Sequence, residues 1–161
     1  MLLPQTAEYA LRAVIHIARE QTGGLVRANE MATRLGIPPN YLAKTLHQLA
    51  RAGVLHSTRG PTGGFRLAGP ASALTLERVI APFADTGARR CLIADRPCGG
   101  DQACPVHERW RHVSGPLHAF FGGTTVADLL ADDDRRVGAP PAAPPPDRVP
   151  RPRIRRRADG R

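Results

Sequence analysis

The stretch Gly36-Ile37-Pro38-Pro39 restricts the fold more than any other in this chain. Glycine suits the left-handed position just past a helix end. Proline has no amide hydrogen to lose at the first helical position. One short helix, predicted over residues 28–35 with Met31, Ala32 and Leu35 inward, must therefore stop at Gly36. A second must start at Pro39 and run to about residue 52, with Leu42, Leu46 and Leu49 inward and Gly53 as its stop. Two helices joined by so short a turn read as a helix-turn-helix. The outer face of the second helix carries Pro39, Asn40, Tyr41, Lys44, Thr45, Gln48 and Arg51. Asn and Gln bond adenine edges, and Arg and Lys bond guanine or phosphate. A solvated helix face has a similar composition, so this face alone leaves both readings open.

The residues that follow favour DNA. Residues 54–58 read as a strand, Arg59-Gly60-Pro61-Thr62-Gly63-Gly64 forms a turn-rich tip, and Phe65-Arg66-Leu67 returns, alternating apolar and polar. Helix, turn, helix, hairpin is the order of a winged helix-turn-helix. Gly60, Gly63 and Gly64, with Thr62 between them, let the tip backbone approach a phosphate or enter the minor groove, and Arg59 is placed to neutralise a phosphate. His47 and His56 lie in the same half and are secondary candidates for phosphate contact.

The expected fold class is mainly α with a small β-hairpin wing: a winged helix-turn-helix domain plus a long dimerisation helix. The first domain spans residues 1–83. It opens with a helix over 6–20, capped by Thr6, whose apolar face includes Ala7, Ala10, Leu11, Val14 and Ala18, widened by Ile15 and Ile17. Glu8 and Arg12 are expected to form an exposed pair one turn apart. The domain closes with a helix in 75–83, capped by Thr75, that buries Leu76, Val79, Ile80 and Phe83. Beyond the cysteine-rich loop, 84–104, a helix is predicted over 105–121. Its Val106, Trp110, Val113, Leu117 and Phe120 form an a/d seam that fits a subunit interface. Pro116 should bend it. The third unit, 105–131, ends in a helix over 126–130 announced by Thr125 and Asp128. Residues 132–161 are expected to be a disordered tail, since seven prolines and seven arginines fill 138–161.

All three cysteines lie in the loop. Six residues separate Cys91 from Cys98, five separate Cys98 from Cys104, and two separate Cys104 from His107. Thiolates and imidazole are ligands for soft and borderline metals. Cys104 and His107, three apart at a helix start, project from one face. Three readings fit: a structural zinc, an iron–sulfur cluster, or a metal-free thiol switch. A loop this long with almost no apolar residues has little else to fold it.

The net charge of +9 is unevenly spread. Residues 1–70 hold eight cationic side chains against three glutamates, and 138–161 hold seven against two, while 71–137 are close to neutral. A basic first half suits a polyanionic partner. The basic tail adds nonspecific DNA affinity or simply solubilises the chain. No arrangement of nucleophile and base, or of paired carboxylates, suggests an enzyme. Residues 1–4 are too short for a signal peptide and no apolar run would span a membrane, so a cytoplasmic protein is expected. Clustered cysteines there bind metal or do redox work more often than they form disulfides.

Four stretches carry a family resemblance: Glu8 to Ala13, Leu35 to Leu42, Arg59 to Phe65, and Cys98 through Trp110. Over about residues 1–131 the chain resembles the Rrf-type winged helix-turn-helix iron–sulfur transcriptional regulators, an IscR/NsrR-like bacterial family. The resemblance implies a cytoplasmic, nucleoid-associated homodimer on a near-palindromic double-stranded operator, more often a repressor, with no membrane association. It implies a cluster held by Cys91, Cys98 and Cys104 whose state changes DNA affinity and so reports iron–sulfur supply, redox or nitric oxide. His107 stands where IscR-like members use a histidine, which favours [2Fe–2S] over [4Fe–4S]. Glu8 stands where NsrR-like members use an acidic ligand and is the alternative fourth ligand. The first cysteine gap is one residue longer than the family's usual five. Two alternatives remain beside this reading. One is a structural-zinc or thiol-switch winged-helix regulator. The other is a small cluster-carrying redox protein that does not bind DNA, in which Lys44, Gln48 and Arg59 could be changed freely.

Overall fold

A computed structural model of the chain describes residues 3–20, 24–60, 62–84, 93 and 104–137, with side chains to residue 132. Its elements are α1 (Gln5–Arg19), α2 (Ala28–Leu35), α3 (Pro39–Arg51), β1 (Leu55–Thr58), β2 (Gly64–Leu67), α4 (Leu76–Ile80), α5 (His107–Gly123) and α6 (Val126–Val137), with a 3-10 turn at Ala71–Ala73. This is a mainly helical winged helix-turn-helix with a two-stranded antiparallel wing.

Helix α1 is the centre of the packing. It buries Ala7, Ala10, Ala13, Val14 and Ile17. Three alanines on that face leave room for other backbones, and α1 meets α2, α3, α4, α6 and β2. Leu11 and Ala18 flank this face, half-buried against the core, and Ile15 is only partly covered. The helix starts one residue earlier than expected. Pro4 occupies the N-cap with no side-chain bond, so Thr6 is not a cap. The expected Glu8–Arg12 surface pair is also corrected. The Arg12 guanidinium instead donates to the Leu35 carbonyl at the end of α2. A cation there satisfies an orphan carbonyl and complements the helix dipole.

The turn between α2 and α3 forms as its residues dictate. Gly36 takes a left-handed conformation at φ 63° and ψ 32°, and Pro39 is the first residue of α3. Leu42, Leu46 and Leu49 enter the core with Met31, Ala32 and Ile37. The wing pairs Leu55 with Leu67 and Thr58 with Gly64. Val26 adds a third strand-like residue by exchanging both backbone hydrogen bonds with Phe65, each at 2.9 Å. That exchange requires Gly64, because a Cβ there would sit 2.7 Å from the Val26 carbonyl oxygen. Gly64→Ala should lower stability by about 1–3 kcal/mol, the usual cost of overpacking a filled site, read as a lower urea midpoint with unchanged slope.

The chain after the cysteine segment returns to this core. Phe121 and Val126 are buried in it. Helix α4 is capped by the Thr75 hydroxyl, which accepts from the Arg78 amide at 3.3 Å. The Leu76 amide bonds the Thr124 carbonyl and the Val126 amide bonds the Leu74 carbonyl, so α4 and α6 start from one joint. Thr125 and Asp128 form the expected capping box: the Thr125 amide donates to the Asp128 carboxylate at 2.8 Å, and the Asp128 amide donates to the Thr125 hydroxyl at 3.2 Å. Bonds from the Thr125 hydroxyl and amide hold the Asp128 carboxyl below the ordinary carboxylate range. A lowered folded-state value gives stability that is present above the unfolded value and is lost as pH falls through the folded one. Asp128→Ala should therefore lower the melting temperature at pH 7, with the gap closing in acid.

Helix α6 runs to Val137, seven residues past the expected end, so the tail boundary at residue 132 is corrected. No glycine or proline interrupts the sequence before Gly138, and nothing local stops the helix earlier. Helix α5 starts at His107, two residues after Pro105, and continues through Pro116.

Candidate nucleic-acid interface and cysteine segment

Helix α3 presents a polar stripe. Pro39, Asn40, Tyr41, Lys44, His47, Gln48 and Arg51 are exposed, Tyr41 at 60%. Thr45 is not part of it, which corrects the expected face. Thr45 is buried and its hydroxyl donates to the Tyr41 carbonyl at 2.9 Å. It sits between Leu42 and Leu49 in sequence, on the core side, and a hydroxyl there is tolerated because a helix carbonyl one turn back accepts its proton. Gln48 is exposed but engaged: its amide donates to the Pro82 carbonyl at 2.6 Å.

The wing stands beside this helix. The His47 ring meets Phe65 edge-on, with centroids 5.6 Å apart. Between them runs a groove of about 520 Å³ whose walls include Arg27, Asn29, His47, Ser57, Arg59 and Gly60. Gly63 and Gly64 also line it, and Thr62 is exposed at the tip. Gly60 has φ 109°, a conformation that glycine alone adopts freely. The groove brings two guanidiniums, hydroxyls and close-lying backbone together, the chemistry that binds a phosphodiester. The Glu30 carboxylate also lines it and lies 3.6 Å from Arg27, so among the described residues Arg59 is the guanidinium with no carboxylate on this wall. Arg27, Asn29 and Ser57 are additions to the residues the motif identifies. Their signal is their place at the start of α2 and on the wing strand, but only the packing brings them to Arg59.

The exposed seam of α5 divides. Val113 is 63% and Phe120 52% exposed, while Val106 and Trp110 are partly covered. Leu117 packs against the core, alongside buried Ser114 and Phe121. One face of α5 thus serves its own domain, and Val113 and Phe120 on the neighbouring stripe are exposed.

Cys104 and His107 lie in one turn, the His107 amide donating to the Cys104 carbonyl at 2.9 Å. Cys104 is half-buried. The His107 side chain is 13% exposed, with Nε2 3.8 Å from the Glu108 carboxylate. Cys91 and Cys98 lie outside the described residues. Glu8 is exposed in the first turn of α1. Among the described residues no three His, Cys, Asp or Glu side chains gather as a metal site. Thiolate and imidazole presented from one turn are a donor pair that fits zinc or an iron–sulfur cluster.

The profile of the Rrf2 family, described as iron-dependent transcriptional regulators, matches residues 3–132. The chain belongs to the Rrf2 family. Similar chains include one of Aquifex aeolicus named as an HTH-type transcriptional regulator, 34% identical over 140 residues, which cover 85% of this chain and 96% of that one. Another is the HTH-type transcriptional regulator IscR of Yersinia enterocolitica, 32% identical over 83% of this chain and 82% of its own. Among solved structures, T. potens IscR has a TM-score of 0.70 at 21% identity, covering 86% of this chain and 93% of its own. CymR of B. subtilis, titled a global cysteine regulator, has a TM-score of 0.69 at 21% identity, covering 81% and 96%. These likenesses confirm the winged-helix fold. As an Rrf2 protein the chain is a transcriptional regulator and not an enzyme. No described helix is long and apolar enough to cross a membrane.

Proposed function

We infer that this Rrf2 protein is a homodimeric, cytoplasmic, cluster-dependent regulator, more often a repressor, of near-palindromic operators. The observation that supports this reading is a wing groove beside an exposed α3 stripe in a domain that also carries Cys104 and His107 at the start of α5. In this reading Asn40, Tyr41, Lys44 and Arg51 face the bases or flanking phosphates, and Pro39 sets the start of their helix. Arg59, Gly60, Thr62, Gly63 and Gly64 hold the backbone from the wing.

Cys91, Cys98, Cys104 and His107 are the set that would hold the cluster, with [2Fe–2S] favoured over [4Fe–4S], zinc as the alternative, and Glu8 as the alternative fourth ligand. A bound cluster would supply chemistry that oxidants, nitric oxide or iron shortage can change. The chain supplies the mechanical link. Cys104 and His107 stand at the start of α5, and the far half of that helix is fixed to the core by Leu117 and Phe121. The stripe formed by Val106, Trp110, Val113 and Phe120 is where a second copy would pack. A change at the start of α5 would thereby shift the spacing of two α3 helices, and half-sites one helical turn apart, ~34–36 Å, tolerate little error.

Arg59→Ala tests the DNA half. Affinity for a selected duplex should fall about 10-fold, and the salt slope should shrink by about one, as measured by fluorescence anisotropy against salt. Unchanged binding would favour a cluster protein with no DNA partner.

A further inference from the structure

The bond between Gln48 and Pro82 joins two parts of the molecule that otherwise serve different ends. Gln48 lies in the exposed stripe of α3, one turn past Lys44. Pro82 lies just past α4, in a turn closed by the Phe83 and Ala84 amides on the Ile80 carbonyl at 2.8 and 3.1 Å. The chain then runs directly into the segment that carries Cys91 and Cys98. At its other end α4 is fastened. The Leu76 amide bonds the Thr124 carbonyl at 3.0 Å, and Glu77 Oε1 lies 3.4 Å from His118 Nδ1 on α5. Helix α4 is therefore tied to α5 at one end, and the turn just past its other end accepts a side-chain bond from the α3 stripe.

We propose that Gln48 is a latched specificity residue: its amide is either held by Pro82 or turned to a base edge, and the 80–84 turn sets the balance. A glutamine reads adenine by presenting its carbonyl oxygen and one amide hydrogen together. An amide drawn to a carbonyl beyond α4 has its plane set by that carbonyl. Swinging to the groove costs the Pro82 bond, a penalty of roughly 2- to 12-fold in the free-to-held ratio. By linkage, whatever loosens the 80–84 turn makes Gln48 easier to free, and DNA that takes Gln48 loosens the turn. The extension from this latch to the cysteines rests on their reading as metal ligands. The latch itself does not.

The test is amide hydrogen exchange at Phe83 and Ala84 in the full-length protein, with and without a duplex enriched by that protein from a randomised pool. In the parent, exchange at both amides should speed up roughly 2- to 12-fold when the duplex binds. In Gln48→Glu, which keeps the reach but cannot donate, and in Gln48→Ala, both amides should already exchange fast and should not respond to the duplex. Gln48 is exposed, so neither change opens a cavity. The parent should also discriminate at one adenine-containing base pair by about 5- to 150-fold, and the variants should lose that preference. An equal response in parent and variants, or no response in the parent, overturns the latch. A pool that enriches no duplex overturns it together with the DNA-binding reading. No arm depends on a cluster, so a failed cluster reading leaves these outcomes distinct.

Discussion

Replacing Val113 and Phe120 together by glutamate should convert the protein to a monomer at micromolar concentration and lower its affinity for a two-half-site operator by on the order of 100-fold or more. Both side chains are more than half exposed on one stripe of α5. Burying each against a second copy is worth about 1.5–3 kcal/mol, and a symmetric interface counts each of them twice. A carboxylate in their place would have to lose its hydration without a partner. The domain itself should survive, because α5 is fastened by Leu117 and Phe121 on its other face. Sedimentation and circular dichroism would read the two effects separately. A variant that stays dimeric would place the interface elsewhere.

The second large effect is expected at Cys104. Cys104→Ser in anaerobically purified protein should remove nearly all bound iron and sulfide, since losing one of three thiolates takes away a ligand that a hydroxyl cannot replace at neutral pH. Compared with cluster-stripped parent, the melting temperature should change little, because Cys104 is only half-buried and lies outside the core. His107→Ala should keep iron but alter the visible spectrum. If Glu8→Ala alters the spectrum and His107→Ala does not, the fourth ligand comes from α1. A colourless parent that binds zinc would instead favour the structural-metal alternative.

The turn, the wing and the caps were legible because each rests on local chemistry. Gly36 can take a left-handed conformation cheaply, Pro39 loses no hydrogen bond at the first position of a helix, and Thr125 with Asp128 satisfies its own helix start. What the sequence hid depends on neighbours far along the chain. Nothing near Gln48 points to Pro82, and nothing near Arg12 points to Leu35. The division of α5 between core and solvent is hidden for a related reason. Phe120 and Phe121 are adjacent and equally apolar, and only the packing of α5 on the winged core turns Phe121 inward and leaves Phe120 out. Thr45 was more accessible to reasoning. Its spacing from Leu42 and Leu49 places it on the inward face, and its hydroxyl drew it wrongly to the outward one. The groove beside the wing shows the reverse. Arg59 and the glycines announced it, but Arg27, Asn29 and Ser57 join it only once Val26 has paired with Phe65.

Coupling between the cysteine segment and the DNA face is tested most directly by anaerobic titration of one enriched operator duplex with cluster-loaded and chelator-stripped protein under identical salt. The two dissociation constants should differ by about 5- to 150-fold, the range of ordinary allosteric coupling. Equal constants for the loaded and stripped protein on every duplex it selects would contradict the regulator described above.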